Sequence, residues 1–493
     1  MTVGAAIATP KVDWLALSPS LALLAAATVC LLGAVLVPAA ARRAFSATFA
    51  GAGFGVAAVL AAVVFDRSPE QELLIAESMT RDRIAALAQI VLAGAGLLSV
   101  LVSWGDRRRD HVGEYYALLA AAGGGMLFFV SAGNLMTLFL GLEWLSIPLY
   151  ILTAMDTHRK RSLEAGLKYL IVGSFGSAIL LFGAALTYGA TGQLGFNAIR
   201  EATGADDPLF VTGMAMILAG LAFKASAAPF HMWTPDVYEG APTAVTGFMS
   251  AATKAAALVV TLRVLVTAFP EQAEIWSLAV AVLAVASLVV GNLAALAQKD
   301  VKRLLAYSSV SHAGFMLIAV AANSPLGGRA LLYYLIPYGA MSIGAFAVVA
   351  ARERELGRAV TLTTLEGYGW ERPFHAAALW VFMLGFAGFP LTGGMLGKFY
   401  VFSAAYEAGW WWLVVVGVVA TAASIYYYLS VIRALFMRPA PARADLVAAG
   451  GSPAADPALT AAIVAAVAVT VGSFFFVQPL VDLAGHAVSA LSF

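Results

Sequence analysis

The sequence predicts an all-α polytopic membrane protein of about fourteen transmembrane helices, and three observations predict it. The 493-residue chain is 61% hydrophobic and only 12% charged, far from the balance of a soluble domain. Apolar stretches of about 20 residues, enough to cross a hydrocarbon core of roughly 30 Å, recur along nearly its whole length. Finally, two of those stretches carry helix breakers at their centres, five spans apart in order.

The N-terminal MTVGAAIATPKVDW lacks the basic segment of a cleaved signal peptide, so residues 1–493 are read as the mature chain. Helices one to three are expected near 15–38, 46–65 and 82–104, making an N-terminal unit over 1–105. The only cysteine, Cys30, lies in the first. That rules out an intrachain disulfide and a Cys-cluster metal or iron–sulfur site. Spans four to eight, near 114–131, 133–155, 162–190, 209–231 and 243–268, fill a first five-helix unit over 114–270. Spans nine to thirteen, near 275–297, 302–322, 328–351, 374–405 and 410–436, fill a second over 275–437, and span fourteen lies near 457–489.

Loop charge orients these spans. With both termini outside, the inside loops include ARR (41–43), GDRRRD (105–110), THRKR (157–161), QKDVKR (298–303), ARERELGR (351–358) and RPAPAR (438–443). Basic residues then favour the inside roughly threefold, as the positive-inside rule requires. The acidic loops DRSPEQELLIAE and REATGADD fall outside. HMWTPDVYEGAP, nominally inside, carries no Lys or Arg. The balance of 29 Lys+Arg against 28 Asp+Glu offers no net field for nucleic acid. The ten tryptophans, Trp410, Trp411 and Trp412 among them, read as an interfacial belt.

In span seven Lys224 is followed by Pro229, Pro235 and Pro242; in span twelve Pro390, Gly393 and Gly394 precede Lys398. Proline removes a backbone donor and clashes with the carbonyl four residues back. Loose carbonyls at membrane depth are tolerated only inside protein or beside water. An odd offset between the two breaks makes the five-helix units inverted repeats, with a transporter-type site at their interface. In that register Glu143 corresponds to His312, and Lys224 to Lys398.

The chemistry lies in charges set singly in apolar spans: Glu143, Lys224, Lys254 and Lys398. Each costs roughly 2.5–3.5 kcal/mol at the centre of a membrane helix on insertion scales, so such groups face a protein interior or a water-filled path. Lysine suits a proton relay, because burial favours its neutral form and a nearby carboxylate its charged form. Glu143 is the expected partner of Lys224. The competing readings are a static ion pair or a lysine snorkelling to the headgroups. Lys168, close to the start of span six, is open to the second; Arg263, near the outer end of span eight, reads as an anchor. His312, among Tyr307, Ser308, Ser309 and Ser311, can pass protons or tie helices together. His231 fits a relay or a cap, while Asp236 and Glu239 fit a structural turn better than proton uptake. No phosphate loop, HExxH or Cys/His metal spacing occurs, so no metal, NADH, flavin or iron–sulfur cluster is expected on this chain.

The segment AFKASAAPFHMWTPDVYEGAPTAVTGFMSAATKAAALVVTLR (222–263) closely resembles the signature of the antiporter-like subunits of respiratory complex I and of multisubunit Na+/H+ antiporters. GLEWLSIPLYIL, QKDVKRLLAYSSVSHAGFML and GFPLTGGMLGKFYVF resemble that family too, and the likeness covers about 114–437. Fourteen spans and lysine at position 398 resemble most its N-subunit branch. The resemblance implies a Glu143–Lys224 pair, a central relay at Lys254, a terminal one at Lys398, and a hydrated axis including Lys168 and His312. It also implies a bacterial inner (cell) membrane, neighbouring complex I membrane subunits as partners, protons and internal water as cargo and medium, and no cofactor in this chain. A subunit of a multisubunit Na+/H+ antiporter, a non-pumping scaffold and, lower, a self-sufficient solute carrier are the alternatives.

Overall fold

In an apolar surrounding every backbone N–H and C=O must be satisfied within the chain, and the helix does this segment by segment. The computed structural model describes residues 12–68, 70–75, 77–106, 111–202, 207–440, 456–491 and 493. Parts of the GDRRRD, REATGADD, DRSPEQELLIAE and RPAPAR loops lie outside the described residues. The N-terminal helices are α1 (Trp14–Leu36), α2 (Ala39–Asp66) and α3 (Arg83–Trp104). Between α2 and α3 a small hairpin pairs β1 (Glu72–Leu74) with β2 (Met79–Arg81), Leu73 opposite Thr80. Then follow α4 (Val112–Phe129), α5 (Leu135–Thr153), α6 (Lys160–Thr191), the short α7 (Phe196–Glu201), α8 (Pro208–Lys224) and α9 (Trp233–Gly240). α10 (Thr243–Phe248) runs through a π-helical turn, Met249–Thr253, into α11 (Lys254–Ala268). The second half comprises α12 (Ala273–Leu296), α13 (Val301–Ala321), α14 (Pro325–Leu356), α15 (Tyr368–Glu371), α16 (Pro373–Ala387), α17 (Gly393–Glu407) and α18 (Trp411–Met437). α19 (Pro457–Phe475) and α20 (Val477–Val488) close the chain.

Among the described residues twelve helices are long and apolar enough to cross a membrane. The two interrupted segments consist of shorter halves, α8 with α9 and α16 with α17. The last segment differs from the expected single span: it breaks at Phe476, and α20 turns its buried face onto α14 and α3.

The α10–α11 segment, α13 and α14 are buried nearly all round and form the axis of the bundle. Around them α1, α2, α6, α12, α18 and α19 expose apolar side chains such as Val35, Phe175, Leu293 and Val419. A helix apolar on every face belongs in lipid or in a core, and this chain has both kinds.

The loops sort themselves by end. Arg159 pairs with Glu353 at 2.7 Å, Arg303 with Asp236 at 2.6 Å, and Arg354 with both Asp456 (2.7 Å) and the Val102 carbonyl (2.6 Å). The described parts of the basic loops after α3, α5, α12 and α14 therefore meet at one end. At the other, the hairpin is tied to the α4–α5 turn by the Thr80 N–H on the Ser131 carbonyl, 2.8 Å.

Candidate functional site

The first break makes Lys224 the last residue of α8. Beyond it Ser226 takes a left-handed φ of 62° and the helix stops. The loosened backbone is satisfied locally: the Ala228 N–H donates to the Ser287 hydroxyl (2.8 Å), and the Trp233 indole to the Phe223 carbonyl (3.1 Å). Lys224 is buried and donates to Ser146 (2.7 Å) and Tyr169 (3.2 Å). The Tyr169 and Tyr150 rings lie 5.2 and 5.8 Å from its Nζ, within reach of a cation–π attraction.

The expected Glu143–Lys224 ion pair is not formed. Ser146, one turn along α5 from Glu143, takes the lysine instead, and Glu143 Oε1 is buried without a hydrogen-bond partner in the chain. Glu143 also lies on a stripe whose other members, Met136, Leu140, Ile147 and Ile151, are exposed.

Lys254 follows directly on the π turn, a distortion that often marks function. Fully buried on the central segment, it donates to the carbonyl and the hydroxyl of Ser309, the latter at 2.5 Å. The Tyr338 hydroxyl donates to the same Ser309 oxygen at 2.9 Å. One turn along α13, His312 holds the Tyr334 hydroxyl on Nδ1 (2.9 Å) and the Tyr428 hydroxyl on Nε2 (3.1 Å). Ser308 extends the row to Tyr428, 2.5 Å away.

At the second break Gly388, at φ 84°, ends α16, and α17 starts at Gly393. Gly394 has no room for a side chain: a Cβ there would sit 2.0 Å from the Gly385 carbonyl oxygen. Lys398 is buried and donates to the carbonyls of Phe386 (3.0 Å) and Ala387 (3.3 Å), the free C-terminal carbonyls of α16, where a helix dipole favours a cation. The Phe315 ring lies 4.6 Å from its Nζ and 6.0 Å from the His312 ring. Lys224 stands before its break and Lys398 after its own, so the two do not occupy equivalent positions.

Two sequence candidates lie off this row. Lys168 is 45% exposed and pairs with Glu164 (2.7 Å) and Asp236 (2.9 Å); its neighbour Tyr169 is the residue that touches Lys224. His231 sits half-buried in the first break, with its Nδ1 unpartnered within the chain. Asp236 and Glu239 lie on the helix α9 rather than in the expected loop turn, and each is bonded to Arg303, at 2.6 and 3.0 Å.

Two readings need correction. Arg263 is no surface anchor: it is buried and forms a two-pronged pair with buried Asp82, 2.6 and 2.8 Å. Nor do all tryptophans form a belt. Trp233 stacks on Tyr169 at 4.6 Å and Trp276 is fully buried, because each indole N–H finds a helix-end carbonyl. Sequence reasoning missed Ser146, Tyr334, Tyr338 and Tyr428. The signal for the tyrosines was their four-residue spacing in YYLIPYG and their place mid-span in IYYYL.

Residues 132–424, which carry the three lysines and His312 of the row, match the family described as NADH:quinone oxidoreductase/Mrp antiporter, TM. The chain belongs to this family. Within it, the chain is 42% identical over 410 residues to the NADH-quinone oxidoreductase subunit N of Salinibacter ruber, covering 81% of this chain and 82% of that one. It is 38% identical to the subunit N of Desulfovibrio desulfuricans over 445 residues, 86% and 87% of the two. Among solved structures it resembles a chain of respiratory complex I from Thermus thermophilus with bound aureothin: 34% identity, TM-score 0.78, 95% of this chain and 99% of that one. A chain of the Mrp complex from Dietzia shares the fold, with TM-score 0.84 at 24% identity over 96% of this chain and 97% of that one.

Proposed function

We propose that this chain is the N-type, proton-translocating membrane subunit of a bacterial NADH–quinone oxidoreductase, driven by redox chemistry in partner subunits. The observation that carries the reading is the row of three buried lysines, two of them joined to serine hydroxyls and spaced by a histidine held between two tyrosines. Buried amines without a carboxylate at contact distance gain and lose protons according to what approaches them.

In this reading a neighbouring subunit acts on Glu143 from the exposed stripe of α5. When the carboxylate moves toward Lys224 the ammonium is stabilised; when it withdraws, Ser146 and Tyr169 alone hold the amine and the proton leaves. It passes past Trp233 and Tyr238 to Lys254, then by Ser309, Tyr338 and His312 to Lys398, and outward. His231 and Lys168 flank the row on the side of the basic loops. No cofactor is assigned to the chain; NADH, quinone and metal clusters belong to its partners. The twelve long helices and the two broken segments make fourteen crossings of the inner membrane, with 114–270 and 275–437 as inverted repeats and both termini outside.

The test is Lys254→Ala in assembled membranes. Proton uptake by inside-out vesicles, normalised to NADH oxidised, should fall by about tenfold or more. Uptake at the wild-type ratio would refute the relay.

A further inference from the structure

At the end of the bundle where the basic loops meet, a small cleft with room for water of about 60 Å³ opens between the α5–α6 turn, the start of α10 and the end of α14. Asp106, Met155, Asp156, Arg159, Thr243 and Glu353 line it. Glu353 is buried at its floor, one carboxylate oxygen accepting from Arg159 at 2.7 Å and the other from the Thr243 hydroxyl. Arg159 pairs with this carboxylate, and Glu353 in turn holds the Thr243 hydroxyl in place. Thr243 begins the helical segment that leads to Lys254.

Along that segment the hydroxyls follow one face: Thr243, Thr246, Ser250, then Lys254, spaced three, four and four residues. The other residues of α10 are Ala244, Val245, Gly247 and Phe248. A threonine or serine that serves only its own helix needs one carbonyl four residues back. These have second partners. Thr246 reaches the Tyr238 carbonyl (3.1 Å) besides that of Pro242 (3.4 Å). Ser250 meets the Ser342 hydroxyl of α14 at 2.7 Å. Ser342 lies one turn from Tyr338, which donates to Ser309, the acceptor of Lys254. Steps of three or four residues rise about 5–6 Å, the reach of one water between two hydroxyls at about 2.8 Å each.

We propose that this cleft is the proton-uptake mouth of the subunit. The row Thr243, Thr246, Ser250 and Ser342 conducts from it to Lys254, and Glu353 is the positioning residue that aims Thr243. A proton arriving as hydronium in the cleft bonds to a row oxygen. Each oxygen passes on the proton it already held, and the last O–H breaks as an N–H forms on the neutral Lys254 amine. Each O–H of the row breaks as the next one forms, so the net change is one proton from the hydronium, left behind as water, to the amine. The inference rests on the relay reading above.

Chemical access and row chemistry test it separately in assembled complex. Cys30 is the only native cysteine of the chain and is buried, so Met155→Cys gives one addressable thiol in the cleft wall. A membrane-impermeant methanethiosulfonate should modify it in inside-out vesicles and not in right-side-out ones. Pumping per NADH should then fall about fivefold relative to the same variant before modification. Ser250→Ala with Ser342→Ala should give a similar loss and Ser250→Thr should retain pumping; Glu353→Ala should lower pumping and Glu353→Gln, which keeps an oxygen for the Thr243 hydroxyl, should restore most of it, equal loss in both overturning the positioning role. Failure to modify, modification from the outer face, or unchanged pumping after modification each overturns the mouth. Wild-type pumping by the double serine variant overturns the row. If Lys254→Ala has abolished pumping in the same membranes, the relay stands and only the uptake route falls; if Lys254→Ala pumps normally, both fall.

Discussion

A single buried charge pair shows how strongly one residue can depend on another here. Arg263 and Asp82 are both fully buried, and Asp82 also caps α3 through the Ala85 N–H at 2.8 Å. Removing one partner of a buried pair leaves an uncompensated charge and costs about 3–5 kcal/mol, whereas replacing both by apolar residues of similar size is often neutral. Asp82→Leu or Arg263→Met alone should therefore lower the thermal resistance of the assembled subunit sharply, and the double variant should recover most of it. An additive double-mutant cycle would show that the pair does not act as one. The pair was not legible in the sequence. Arg263 sits near a span end, where a snorkelling cation is the economical reading, and Asp82 sits in a loop between spans; only the fold brings residues 181 apart in sequence together. Lys254 and Lys398 were legible because no snorkelling route exists for a charge so deep in an apolar run.

At the scale of elements, the two breaks position the reactive amines by different means. α8 ends on its lysine, while α16 ends on carbonyls that Lys398 of the next helix covers. The second arrangement needs α17 to start close against α16, and Gly394 permits it. Gly394→Ala places a methyl group 2.0 Å from the Gly385 oxygen, so the two half-helices must part. A displacement of about 1 Å at a reacting group can cost roughly a hundredfold in rate. Gly394→Ala should thus depress pumping at least tenfold with Lys398 intact. Gly472→Ala, where a Cβ meets nothing within 4 Å, should pump normally. Equal pumping by both variants would mean that Lys398 does not depend on this approach. Proline and glycine announced both breaks in the sequence, because their backbone effects are local. The π turn before Lys254 carries no such residue; the break at Phe476 does have Pro479 three residues on, whose ring opposes the Phe475 carbonyl, and the single span expected over 457–489 passes over it. Nor could three-residue strands in an acidic loop announce themselves without an alternating pattern.

At the scale of the whole molecule, the two ends of the bundle are distinguished by contacts rather than by charge alone. Arg159 on Glu353 and Arg354 on Asp456 place the starts of α6 and α19 and the end of α14 together. α12's start, the α13–α14 turn and the end of α17 line a common groove with Glu274, Asn323 and Glu407. That α5–α6 turn and that α17 end lie on opposite faces if both broken segments cross, and on the same face if only one of them does. A re-entrant loop at either break would reverse the parity of everything after it. In the proposed orientation the basic loops put the first end inside. Thr157 and Ala408, both exposed, mark the two ends. Thr157→Cys should react with an impermeant thiol reagent only in inside-out vesicles, and Ala408→Cys only in right-side-out ones. Reaction of both from one face would remove one of the breaks as a crossing, and with it the pairing of the five-helix units as inverted repeats. Reaction of each from the wrong face would keep the topology but turn the row around, so that protons leaving Lys398 would be delivered inward.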